Sequence, residues 1–333
     1  MSISQLKAWA ALAALALLSL TISAAWALEE EAQAAKDEGM RLYGLGISAE
    51  TIPYLEPAAQ AGDVEAMYYL GEVHRLRHMG LTQAAMDWYL QAAEQGDIHA
   101  MLRLFQGGAC TAGDECPEGY DDWHYAAMDI VKPQAEAGDP DAMLAMFDIY
   151  RMFDEPRRAG EWLELAAEAG QPEAQTILGN QILDGRGWYL TNGRRLSAAE
   201  AWFRKAAEQG YVPAMNRLSE VLADLDEHES AWQWLMHASE GGHINGRLGE
   251  GWCNLNPHEW GDERCPLAQD VVKGWAVLYA IAQETGNRSA KSIMDWNSDE
   301  LSAEQRKEAE ALAEAEWIGR EPPLSNFPPR FGY

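Results

Sequence analysis

One glycine recurs through the chain inside a near-constant hexapeptide: AAQAGD (58–63), AAEQGD (92–97), QAEAGD (134–139), AAEAGQ (166–171), AAEQGY (206–211), ASEGGH (238–243) and AQETGN (282–287). The glycines, Gly62, Gly96, Gly138, Gly170, Gly210, Gly242 and Gly286, are spaced by 34, 42, 32, 40, 32 and 44 residues. Eight residues before each stands a large apolar side chain: Tyr54, Trp88, Ile130, Trp162, Trp202, Trp234 or Leu278. Three positions earlier, alanine recurs as Ala85, Ala127, Ala159, Ala199 and Ala231. Four residues after the glycine come Ala66, Ala100, Ala142, Ala174, Ala214 and Ala290, with Gly246 the exception. A unit of 32–34 residues is too small to bury an apolar face alone, so its copies must stack. The pattern predicts a solenoid.

Each unit reads as two helices, which makes the chain all-α. In the first helix Ala66, Leu70 and Val73 share a face at i, i+4, i+7 spacing. In the second, Ala85, Trp88, Ala92 and Ala93 form a stripe of small and large residues. The repeat glycine ends that helix by taking the left-handed conformation a C-terminal cap needs. Small alanines let helices approach closely, and the tryptophans are expected to fill the space between them.

These residues resemble the Sel-1-like repeat, a relative of the tetratricopeptide repeat. The fifth copy matches its pattern with Ala174, Leu178, Gly179, Gly185, Gly187, Ala199, Trp202, Ala206, Ala207 and Gly210; the second does so with Ala66, Leu70, Gly71, Ala85, Trp88, Ala92, Ala93 and Gly96. The resemblance covers about residues 36–318. The seventh copy departs most, with Gly246, Trp275 and Leu278 at the repeat positions. It implies a right-handed superhelical solenoid of about seven helix-turn-helix repeats that binds other proteins. It also implies that positions two, six and nine after the core alanine line a concave groove. Those positions are Tyr68, Glu72 and Arg75 in the second copy and Leu144, Asp148 and Arg151 in the fourth. The fifth and sixth copies add Thr176, Asn180, Asn216 and Glu220.

The two ends read differently. Lys7 is the one charge in the first 28 residues, Ala8 to Ile22 is almost wholly apolar, and Ala25 and Ala27 have A-x-A spacing. That is a secretory signal with cleavage expected after Ala27, and its apolar run is shorter than the ~20 residues a span requires. The solenoid is then 28–318, closed by a capping helix at 303–317 that opens on the capping box Ser302–Gln305. The tail 319–333, rich in proline and aromatic residues, is expected to be extended.

Secretion places the chain in the periplasm or outside the cell, where thiols oxidise. Cys110 and Cys116 lie in one enlarged copy, Cys253 and Cys265 in another. Pairing within each is favoured, because each pair shares one inter-helix loop. Metal binding is disfavoured: His74 and His78 have no third ligand nearby, and the acidic insertion Asp114, Glu115, Glu118, Asp121, Asp122 lacks the spacing and central glycine of a calcium loop. A net charge of −28 opposes binding to nucleic acid or anionic lipid. Neither G-x-S-x-G nor H-E-x-x-H occurs. No catalytic residue, cofactor or metal is expected, and no stable membrane span after cleavage. The sequence favours a non-enzymatic scaffold for a protein or peptide partner; the alternative is a hydrolase of cell-wall or β-lactam substrates, as proposed for cysteine-rich repeat relatives.

Overall fold

The structure is a computed structural model describing residues 31–112, 116–256, 265 and 268–331. The expected signal segment, 1–27, lies outside the described residues, as do Asp114 and Glu115 of the acidic insertion. The chain forms two compact units, Met1–Tyr43 with Ile47–Asp97, and Gly44–Gly46 with Ile98–Tyr333. The first holds most of α1 (31–44), then α2 (Ser48–Gln60), α3 (Val64–His78) and α4 (Gln83–Glu94). The second begins with α5 (Ile98–Gly107), α6 (Trp123–Glu136), α7 (Pro140–Met152), α8 (Pro156–Glu168), α9 (Pro172–Leu183) and α10 (Asn192–Glu208). It continues with α11 (Val212–Asp224), α12 (His228–Glu240), α13 (Ile244–Leu255), α14 (Val271–Thr285), α15 (Arg288–Trp296) and α16 (Ala303–Glu316). From α2 to α4, and again from α5 to α15, successive helices pack on one another. In the second unit the first helices of neighbouring copies also touch, α5 on α7 and α9 on α11. This is a helical repeat solenoid.

The hexapeptide explains how one copy hands over to the next. After α2 the amide of Gly62 donates to the Ala59 carbonyl and that of Asp63 to the Ala58 carbonyl, both at 3.0 Å. These are the paired bonds of a Schellman cap, and Gly62, at φ +98°, supplies the left-handed residue they require. Asp63 then starts α3, its carboxylate accepting from the Ala66 amide at 2.8 Å. Asp139, Gln171, His243 and Asn287 cap α7, α9, α13 and α15 in the same way. In these five copies the variable sixth residue of the hexapeptide is therefore a side-chain N-cap, which stabilises its helix by about 1 kcal/mol, whereas Tyr211 makes no such bond. Ala66, Ala100, Ala174 and Ala214, one turn on, have no exposed surface because a neighbouring helix lies directly against them.

Packing corrects the expected role of the tryptophans. Trp88, Trp162, Trp202 and Trp234 are only half-buried. The space between helices is filled by the next residue along, Tyr89, Leu163 and Phe203, each without exposed surface. A Cβ on Gly71 would run into the Tyr89 ring, one on Gly179 would lie 2.7 Å from Phe203, and one on Gly251 2.8 Å from Leu278. In these three copies the pair of helices is thus a glycine notch on the first and a large side chain from the second. The seventh copy is shifted by one residue: there Leu278 itself is the filler, and Gly286 is the C-cap rather than the residue after it.

At the far end α16 packs on α14, and Ser302 and Gln305 exchange both bonds of a capping box. Cys253 and Cys265 are bonded, with Cα atoms 5.4 Å apart. The expected Cys110–Cys116 bond is not formed, and both residues are free thiols. The Cys116 thiol faces the Cys110 carbonyl at 3.8 Å instead. Burial, then Cys116 and Asp122, push the Cys110 thiol up to about 12.

Candidate functional site

The residues expected to line a groove divide into core and surface. In the first unit Tyr68 and Glu72 are core residues, not a surface. Tyr89 donates its hydroxyl to Glu72 Oε1 at 2.6 Å, and Arg75 binds both carboxylate oxygens, at 3.2 and 2.7 Å. Burial alone would lower the Arg75 pKa, but the Glu72 carboxylate reverses the shift and raises it. The three form a closed internal network whose charges are satisfied where they are. A helical-wheel argument places them correctly on one side of α3 but carries no information about how deeply the following helix covers that side.

The second unit keeps a half-exposed strip. Leu144, Arg151, Asn180 and Glu220 reach solvent, while Asp148, Thr176 and Asn216 lie behind them. Thr176 is spent on its own helix, its hydroxyl donating to the Pro172 carbonyl at 2.8 Å. Asn216 donates to Glu220 at 2.7 Å. Arg217, which the sequence reading did not single out, donates from α11 to Asn180 on α9 at 2.8 Å and also pairs with Glu220. One guanidinium therefore joins neighbouring copies. Arg103 holds the same position on α5, three residues after a core alanine. That recurrence of arginine was the available signal.

Asp148 is the electrostatic centre of this strip. Its carboxylate lies 3.9 Å from Arg151, with Glu173 and Arg103 also acting on it. Burial dominates and pushes its pKa up to about 7, Glu173 adds to the rise, and the two arginines oppose it. Glu173 is raised too, by burial and by Asp141.

The tail supplies the other half of the site, in an extended conformation. The Ser325 amide donates to the Gly242 carbonyl at 2.9 Å and the Ser325 carbonyl accepts from the Ile244 amide at 3.2 Å, a parallel bridge beside His243. Asn326 donates to the Gly44 carbonyl at 2.8 Å and, through its side chain, to the Leu45 carbonyl at 3.3 Å. Phe327 stacks on His243, Leu324 is buried, and Phe331 lies under Arg103, 4.3 Å from guanidinium carbon to ring centre.

No protein-family model matches the chain, and no curated protein does. Solved structures do. The chain is similar to Sel1-repeat proteins. One is c5321, described as a protective antigen present in uropathogenic Escherichia coli strains and displaying an SLR fold. The two are 23% identical over 87% of this chain and 61% of the antigen's, with a TM-score of 0.49. Another is a Sel1 repeat protein from Oxalobacter formigenes, 21% identical over 85% of this chain and 86% of the other, with a TM-score of 0.44.

Other expected or conceivable sites are poorer. Among the described residues no three His, Cys, Asp or Glu side chains gather as a metal would require, and no helix is long and apolar enough to cross a membrane. A cavity of about 650 Å³ lies beside the Cys253–Cys265 bond, walled by Leu248, Trp252, Ile293 and Trp296 with Arg288 among its lining residues. It shares no residue with the strip.

Proposed function

We propose that the chain is a non-catalytic interaction scaffold, exported from the cytoplasm, that holds an extended protein segment against the polar strip of α7, α9 and α11. The observation that carries this is Arg217 bridging to Asn180. It ties a guanidinium and an amide of two successive copies together. With Arg151 on α7, it sets polar groups of three successive copies side by side, which suits the main chain of an extended peptide. Arg151 and Arg217 add planar donor forks for carboxylates. The Cys253–Cys265 bond is consistent with an oxidising compartment.

The test is Arg151→Glu with Arg217→Glu in the mature chain, with cross-linked partners recovered from envelope extract and quantified. Partner recovery should fall at least tenfold while the helical circular dichroism is unchanged. Full recovery would refute the strip as the binding surface. Arg75 is left alone, because reversing it would strand the buried Glu72 carboxylate.

A further inference from the structure

The tail is held as a ligand would be held. Its recognition by Gly242 and Ile244 is through main-chain atoms, so those two bonds do not depend on tail side chains. Side-chain selection is confined to a few points. Leu324 is 2% exposed, Asn326 binds the Leu45 carbonyl, and Phe331, seven residues after Leu324, is 8% exposed under Arg103. The receiving surface is shaped for close backbone approach. A Cβ at Gly242 would collide with the Pro323 carbonyl oxygen, and one at Gly44 would lie 2.7 Å from the Ser325 hydroxyl. Between its anchors the tail stays exposed: Pro328, Pro329 and Arg330 face solvent.

We infer that this surface, from Gly242–Ile244 past Gly44 to Arg103, is a peptide-docking site that the chain's own tail fills. The partner it fits is an extended segment with a buried aliphatic residue, a small residue and then an Asn directly after it, and an aromatic ring seven residues beyond the aliphatic one. The tail is then a tethered competitor, and the apparent affinity for a partner falls by the fraction of molecules whose site is open. Arg103, which holds the Phe331 ring, also acts on the buried Asp148 of the polar strip. The inference in this respect deepens the proposed function and rests on it.

The experiment uses the full chain and a fluorescent peptide copying residues 320–331. Leu324→Asp removes the buried anchor of the tethered tail. That variant should bind the peptide at least tenfold more tightly than the parent chain, by fluorescence anisotropy. Adding Arg103→Glu should abolish the gain, and the Ile244 amide should exchange faster with solvent in Leu324→Asp alone. Phe331→Ala, milder in its effect on folding, should give a smaller gain of the same sign. Equal affinity for parent and both variants, with helical circular dichroism retained, would overturn the proposal. So would a gain that appears only with dimerisation, since the site would then exchange tails between copies. Failure here with Arg151 and Arg217 still needed for envelope partners would refute the docking site and leave the scaffold standing.

Discussion

Asp148 is where burial and charge conflict most clearly, and replacing it with asparagine isolates that conflict. The folded state raises its pKa from the ordinary 3.8 to about 7, by burial first. An acid whose pKa is raised by folding binds more protons in the native state, so stability falls as pH rises from about 4 to about 7. At about 1.36 kcal/mol for each pH unit between those two values, the difference corresponds to roughly 4 kcal/mol. An asparagine side chain keeps the shape of the aspartate and cannot ionise. The stability of Asp148→Asn minus that of the parent should therefore rise with pH, by about 4 kcal/mol between pH 4 and pH 8, at up to ~1.4 kcal/mol per unit. Urea unfolding followed by circular dichroism over that range measures the difference, and the subtraction removes other titrating groups. If Arg151 and Arg103 outweigh burial, the carboxylate titrates below its ordinary value instead. The difference curve would then fall or stay flat, and the electrostatic account of the strip would be wrong.

Other outcomes follow from the same structure. Gly71→Ala should cost about 1–3 kcal/mol, read in a denaturation midpoint, because its methyl group would run into the Tyr89 ring. His243 is held neutral by burial, its pKa lowered to about 4, and its Nδ1 accepts the Gly246 amide. Stability should be complete above about pH 6.5 and fall by about 3 kcal/mol towards pH 4, and His243→Asn, which keeps a capping oxygen, should flatten that decline. Mass spectrometry of the exported protein should find an N-terminus at or within a few residues of Leu28. Non-reducing digestion should link Cys253 to Cys265 and leave Cys110 and Cys116 available to alkylation after unfolding.

The fold was legible because its determinants are local and repeated. Glycine in a left-handed cap, a polar N-cap after it and an alanine one turn later are short-range requirements, and each leaves a letter at a fixed place. The filler residue was misassigned by one position for a related reason. Trp88, Trp162, Trp202 and Trp234 are conspicuous by size, whereas Tyr89, Leu163 and Phe203 vary in type and are identified only by what they touch. The site was less legible. Helical spacing says which side of α3 Glu72 takes, not that Tyr89 and Arg75 enclose it. Nor does any periodicity connect Phe331 to Arg103, 228 positions away, because the tail obeys no repeat.

In the second, fifth and seventh copies a glycine notch and its filler belong to the two helices of a single copy: Gly71 with Tyr89, Gly179 with Phe203, Gly251 with Leu278. Each of these three copies thus carries its own lock. Such a copy, gained or lost by duplication, would bring or remove a complete lock without orphaning half of one. The turn between the two helices lies outside the lock and is free to lengthen. It is three residues between α7 and α8 but eight between α9 and α10, and in the still longer join of α13 and α14 Cys265 is bonded back to Cys253 on α13. Novelty in such a lineage would accumulate in those turns.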